Sequence, residues 1–201
     1  MKVVGLDMST KTGFAYLENG KLSETDLIRL EYPIRDDLTH GWVQDVGFMF
    51  DSVSMAKMIF NRIKGINPDF IYIEQTNLGK NRESQKLLEF IHCSVLYILH
   101  KEGYGQKIRY VDTSAWRSKL KVRMTKEDSA HNKLVKAKAI RGKITTKHLA
   151  VRWVNDKYDL NLKLKDNDIA DAISVATYGF IYEKQNKPKI TEKTIEDLFA
   201  K

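Results

Sequence analysis

The sequence predicts one α/β domain, a mixed five-stranded sheet flanked by helices. Three observations lead there. A chain of 201 residues with 42% hydrophobic content suffices for one well-buried core and is short for two. Three strand-like stretches open the chain, the second and third joined by Asn19-Gly20, a pair that tolerates positive φ and so marks a hairpin turn. Beyond residue 43, helical periodicity alternates with short β-branched runs, the pattern of strands connected through helices.

The strands cover residues 2–7, 12–18 and roughly 21–31. A helix follows from about Val43 to Lys64, because Val46, Met49, Phe50, Val53, Ala56, Met58, Ile59 and Ile63 recur at spacings of three and four. Gly65 and Pro68 end it. The run Asp69 to Glu74 is short, β-branched and aromatic, as a buried strand should be. A second helix fits 83–101, with Leu87, Ile91, Val95 and Leu99 turned to the core, and Gly103 and Gly105 close it. Lys107 to Val111 reads as the last strand, after which Asp112 can cap a short helix carrying Trp116. Residues 118–142 are strongly basic and weakly periodic, so a loop or mobile helical insertion is expected, and helices are expected over 145–158 and 167–183. The domain is expected to span 1–183, with 184–201 a polar tail in which Thr194 could cap a turn carrying Leu198 and Phe199.

Charge narrows the partners. Lys and Arg total 34 against 26 Asp and Glu, a net charge of +8, which favours a polyanion because basic side chains displace condensed counterions from phosphate. Cys93 is the single cysteine, so no intramolecular disulfide can form, and a reducing compartment is expected. No stretch approaches the roughly 18 consecutive apolar residues of a membrane span. A cytoplasmic protein is expected.

Four carboxylates carry the chemistry. Asp7 ends the first strand and Glu74 ends the fourth; if those strands are neighbours, their side chains approach within roughly 5 Å. Asp168 and Asp171, at i and i+3 of the last helix, share a face beside the apolar Ala172, Ile173 and Val175. Acids on a helix that otherwise buries itself need compensation, and divalent metal supplies it. An oxygen-only set with no Cys or His cluster suits Mg²⁺, with Mn²⁺ as a substitute. Two such ions could activate water and stabilise the leaving oxygen of a phosphodiester. Asp166 and Asn167 read more plainly as helix caps.

These segments carry a resemblance. Gly5-Leu6-Asp7 through Gly13-Phe14-Ala15, Ile71-Tyr72-Ile73-Glu74-Gln75 and Asp168-Ile169-Ala170-Asp171-Ala172 resemble, in order, the three motifs of RuvC-like Holliday junction resolvases, of the ribonuclease H-like superfamily. The resemblance implies a ribonuclease H-like fold, Asp7, Glu74, Asp168 and Asp171 as catalytic metal ligands for two Mg²⁺, and paired nicking of four-way DNA junctions by a homodimer. Branched DNA is then the partner, and the helix at 83–101 the expected dimer surface. Bacterial members carry an aromatic three residues beyond the second-motif Glu, where this chain has Asn77, and a shorter, less basic segment before the last helices. These departures and the compact size resemble phage or viral members and imply a broader specificity that includes forks and flaps.

The DNA contacts expected are Asn77, Lys80 and Arg82, close after Glu74, and Lys119, Lys121, Arg123 and Lys126; Arg117 and a second cluster from Lys133 to Lys147 add charge. Trp116 and Trp153 are read as core, and the five histidines show no metal-ligand spacing. Other readings stay open: an actin-like ATPase, which needs a second such domain, a ribonuclease H acting on RNA–DNA hybrids, or a branched-DNA binder without catalysis.

Overall fold

The computed structural model describes residues 1–31, 41–76 and 82–186. Five strands, β1 (Lys2–Asp7), β2 (Lys11–Glu18), β3 (Lys21–Arg29), β4 (Phe70–Glu74) and β5 (Ile108–Val111), form one mixed sheet in the order β3-β2-β1-β4-β5. β1, β2 and β3 pair antiparallel; β4 lies parallel to β1 and β5 parallel to β4. The β2–β3 turn has both Asn19 and Gly20 at positive φ, as the dipeptide requires. Among the described residues six α-helices flank it: α1 (Gly41–Ile66), α2 (Arg82–Lys101), α3 (Thr113–Leu120), α4 (Lys126–Lys136), α5 (Thr146–Tyr158) and α6 (Asn167–Asn186).

The two-residue repeat of strand side chains divides the core. Val4, Leu6, Phe14, Tyr16, Ile71 and Ile73 pack beneath α1 and α2, whereas Val3, Ala15, Leu17 and Tyr72 pack beneath α3, α5 and α6. The same alternation sends Asp7 and Glu74 toward α6, since each follows a residue of the opposite face. Glycine then sets how near α6 can come. A Cβ on Gly5 would lie 2.7 Å from Ala176 Cβ, and one on Gly13, the β2 partner of Asp7, would strike the Asp168 carbonyl. Ala170, Ala172 and Ala176 supply the matching small surface of the helix.

The basic segment 118–142 takes the helical of its two expected forms over Lys126–Lys136, where Thr125 caps α4 and forms a reciprocal capping box with Asp128. Its helicity was hard to read because polar contacts, not an apolar stripe, hold it. The helix read from periodicity over 43–64 is present as α1, with Val46, Met49, Phe50, Val53 and Met58 exposed and Met55, Ala56, Ile59 and Ile63 buried. Helix α6 runs three residues past 183, into the stretch read as tail, and residues 187–201 with the Thr194 turn lie outside the described residues.

A carboxylate cluster at the strand ends

Parallel pairing of Leu6 with Ile73 brings the carboxyl ends of β1 and β4 level. Asp7, Glu74 and Asp171 meet there, each offering one carboxylate oxygen within 4.8 Å of the others. Asp168, one turn before Asp171 on α6, is half-buried and accepts a hydrogen bond from the Asn167 amide. It faces the same group, for its charge raises the pKa of both Asp7 and Asp171.

The cluster is under-compensated. Burial, then the neighbouring charges of Glu74, Asp171 and Asp168, lift the Asp7 carboxyl well above its ordinary range. Asp171 is pushed up to about 7, by burial first and Glu74 second. Glu74 and Asp168 are raised by burial as well, against the pull of Thr113 and Arg117 on the one and Lys147 and Asn167 on the other. Glu74 Oε1 accepts from the Thr113 hydroxyl, whereas Glu74 Oε2, beside the buried Trp116 indole, and Asp171 Oδ1 are buried without a well-formed hydrogen bond. Orphaned buried carboxylate oxygens cost free energy that a cation would recover. Hard oxygen donors converging on one point fit Mg²⁺ or Mn²⁺, and Asp7, Glu74 and Asp171 would hold the ion with Asp168 at its edge.

Two basic side chains flank the acids. Arg117, on the α3 face that also bears Thr113, lowers the pKa of Glu74 and Asp171, and its Nε is buried without a partner. Lys147, in the first turn of α5, acts on Asp7, Asp168 and Asp171. Charge counting placed both in basic clusters without distinguishing them from their neighbours; only the helix starts at Thr113 and Thr146 aim them. Thr113 carried one signal, its place directly after the Asp112 cap, whose side chain accepts from the Ser114 amide at 2.7 Å.

The other expected contacts are dispersed. Arg82 is exposed in the first turn of α2. Lys121 and Arg123 are exposed between α3 and α4, Lys121 as a left-handed helix cap, and Lys126 is exposed as the first residue of α4. The Lys119 ammonium donates to Gln185 Oε1 at 2.7 Å, near the far end of α6 from Asp171. Asn77 and Lys80 lie outside the described residues. Asp166 accepts from the Lys163 amide at 2.8 Å, capping the short turn before α6. Trp116 is fully buried. Among the described residues no helix is long and apolar enough to cross a membrane.

No family model matches the sequence, and neither does any curated protein. Among solved structures the chain is similar to Thermus thermophilus RuvC in complex with Holliday junction substrate, at 12% identity over 92% of this chain and 96% of that one, with a TM-score of 0.57. A second structure of Thermus thermophilus RuvC matches at 13% identity over 92% and 97%, TM-score 0.55. The yeast mitochondrial Holliday junction resolvase Ydc2 matches at 16% identity over 91% and 79%, TM-score 0.51. The likeness is one of fold: this chain has the ribonuclease H-like fold of those resolvases.

Proposed function

We propose that this protein is a divalent-metal-dependent, structure-selective DNA endonuclease that resolves four-way junctions. The observation that carries the reading is the meeting of Asp7, Glu74 and Asp171 at adjacent parallel strand ends, with two buried oxygens left unpartnered. The fold shared with RuvC and Ydc2 supports it, as does the net charge of +8. In this reading Asp7, Glu74, Asp168 and Asp171 hold two Mg²⁺, for which Mn²⁺ substitutes. Bound ions would supply an activated water and charge stabilisation at the leaving oxygen. Thr113 holds the Glu74 carboxylate in one orientation, while Arg117 and Lys147 place fixed positive charge beside the scissile phosphate. The expected products carry 5′-phosphate and 3′-hydroxyl ends.

A homodimer fits a substrate with two equivalent strands. Its support is an apolar face: Met49, Phe50 and Val53 of α1 and Tyr97 of α2 are exposed, beside a groove between the helices lined by Val53, Phe60, Tyr97 and Ile98. A patch of this kind on a basic surface marks an interface, and α2 is the element expected to form it.

The deciding experiment is cleavage of a labelled synthetic four-way junction with Mg²⁺, beside forked, linear duplex and RNA–DNA hybrid substrates and a Glu74→Gln control. Paired symmetric nicks in the junction, reduced about a thousandfold or more in the variant, are expected. Nicking of forks at a comparable rate would support the broader specificity. Cleavage of the hybrid alone would replace this reading with a ribonuclease H, and junction binding without cleavage would leave a structural binder.

A further inference from the structure

Residues 125–145 join α3 to α5 and stand apart from the carboxylate cluster, yet they are firmly built. Arg152 of α5 donates to both oxygens of Asp128, Nη1 to Oδ1 at 3.0 Å and Nη2 to Oδ2 at 2.6 Å, and Asp128 is buried. The return segment after α4 is tied to the helix twice. His131 Nε2 pairs with the Gly142 carbonyl at 2.7 Å, and the Asn132 side chain both donates to the Ile144 carbonyl and accepts from its amide, each at 2.9 Å. The segment is therefore a helix and an antiparallel return strap fixed to α5, the helix whose first turn aims Lys147 at the acids.

Beyond the first turn of α4 its outer surface has one sign. No Asp or Glu occurs from Ser129 to Asn155, and Lys133, Lys136, Lys138, Arg141 and Lys143 are all exposed. Lys133 and Lys136 could serve merely to complement the negative end of the α4 dipole. Lys138, Arg141 and Lys143 lie beyond the helix, where that explanation fails, and Lys143 sits between the two tethered residues. The acids of the segment, Glu127 and Asp128, are confined to the first turn of α4, and Asp128 is consumed by Arg152. Like charges crowded on a rigid surface repel one another unless a polyanion covers them, and the track leads through Lys147 to the carboxylate cluster.

We infer that the α4 module and its return strap form a second DNA contact, which grips the phosphate backbone of a duplex arm leading away from the site of cleavage. This rests on the nuclease reading for its geometry, but its own ligand is duplex phosphate whatever the enzyme cuts. No base-reading side chain is needed, so the contact is independent of sequence and strongly salt-dependent.

The test compares the full-length protein with a strap variant, Lys138→Asn, Arg141→Gln and Lys143→Gln, and with a control variant that removes three exposed cations elsewhere, Lys21→Gln, Arg29→Gln and Lys64→Gln. Binding to a labelled four-way junction and to linear duplex is followed by anisotropy in EDTA across a salt series, and junction cleavage is measured with Mg²⁺ at saturating protein. The strap variant is expected to bind both DNAs about 30-fold more weakly near 0.15 M salt, with a slope of log K against log salt shallower by about 2–3. Its cleavage rate at saturation should stay within about twofold of the wild type, and the control variant should keep the wild-type slope within about 1. A strap variant with wild-type affinity and slope would overturn the inference, as would equal weakening by the control. Failure of the wild type to cut junctions would instead overturn the resolvase reading, and weakened duplex binding by the strap variant would still uphold the module.

Discussion

Asp128 and Asp171 are the same residue type, each with little of its own surface exposed, yet Asp128 lies near the surface beneath a half-exposed arginine and Asp171 lies deep among other acids, and they meet opposite electrostatic fates. Asp128 receives two hydrogen bonds from Arg152 and one from the Thr125 amide, and the Arg152 guanidinium holds its carboxyl far below the ordinary range. Asp171 faces Glu74, Asp7 and Asp168, keeps one oxygen without a partner, and is pushed up to about 7, by burial first and by the charges of Glu74 and Asp168 after it. The first is complete within the chain and therefore structural. The second is incomplete within the chain, and on the proposed reading a divalent ion would complete it.

The sharpest way to break the contrast is to neutralise each partner in turn. Asp171→Asn should lower junction cleavage by about a thousandfold or more, read by single-turnover kinetics, while the fold persists. Gly13→Ala should come next. Its Cβ would drive α6 away from β2 at Asp168, so an unfolding free energy lower by about 2 kcal/mol and cleavage reduced more than about tenfold are expected from urea titration and the same assay. Asp128→Ala should act the other way round, with cleavage at saturation preserved and the urea midpoint lowered. It loses the capping box and leaves Arg152 unpaired, although solvent reaches that guanidinium and softens the loss.

The smallest expected effect is in pH. A carboxyl raised to about 7 binds more protons in the native than in the unfolded chain between about pH 4 and 7, so its contribution to stability falls as pH rises through that window. His92, lowered by burial to about 4, has the opposite slope there, since the unfolded chain protonates it first. The difference between wild type and Asp171→Asn cancels the histidine. In EDTA the variant should gain on the wild type steadily from pH 4 to pH 7, by melting temperature at each pH.

The contrast also explains what the sequence could and could not disclose. Strand ends are legible because two-residue alternation and a closing acid are local, so Asp7 and Glu74 stood out, and the i, i+3 spacing exposed Asp168 and Asp171. Gly5 and Gly13 were visible only as part of a motif; their role in admitting α6 depends on a helix more than 150 residues away. The α4 module was obscured because the Asp128–Arg152 pair, 24 residues apart, leaves no periodic trace. On α1, periodicity marks Met49 and Phe50 as helical, but it cannot say whether the same chain covers them.

The measurement that bears most directly on the account is the melting temperature of the wild type and Asp171→Asn at neutral pH, in EDTA and in Mg²⁺. The variant is expected to be the more stable of the two in EDTA, and Mg²⁺ to raise the wild type by several degrees while leaving the variant almost unmoved. A variant less stable than the wild type in EDTA, with both proteins shifted equally by Mg²⁺, would show that Asp171 is a satisfied structural acid and would contradict the assignment of the cluster.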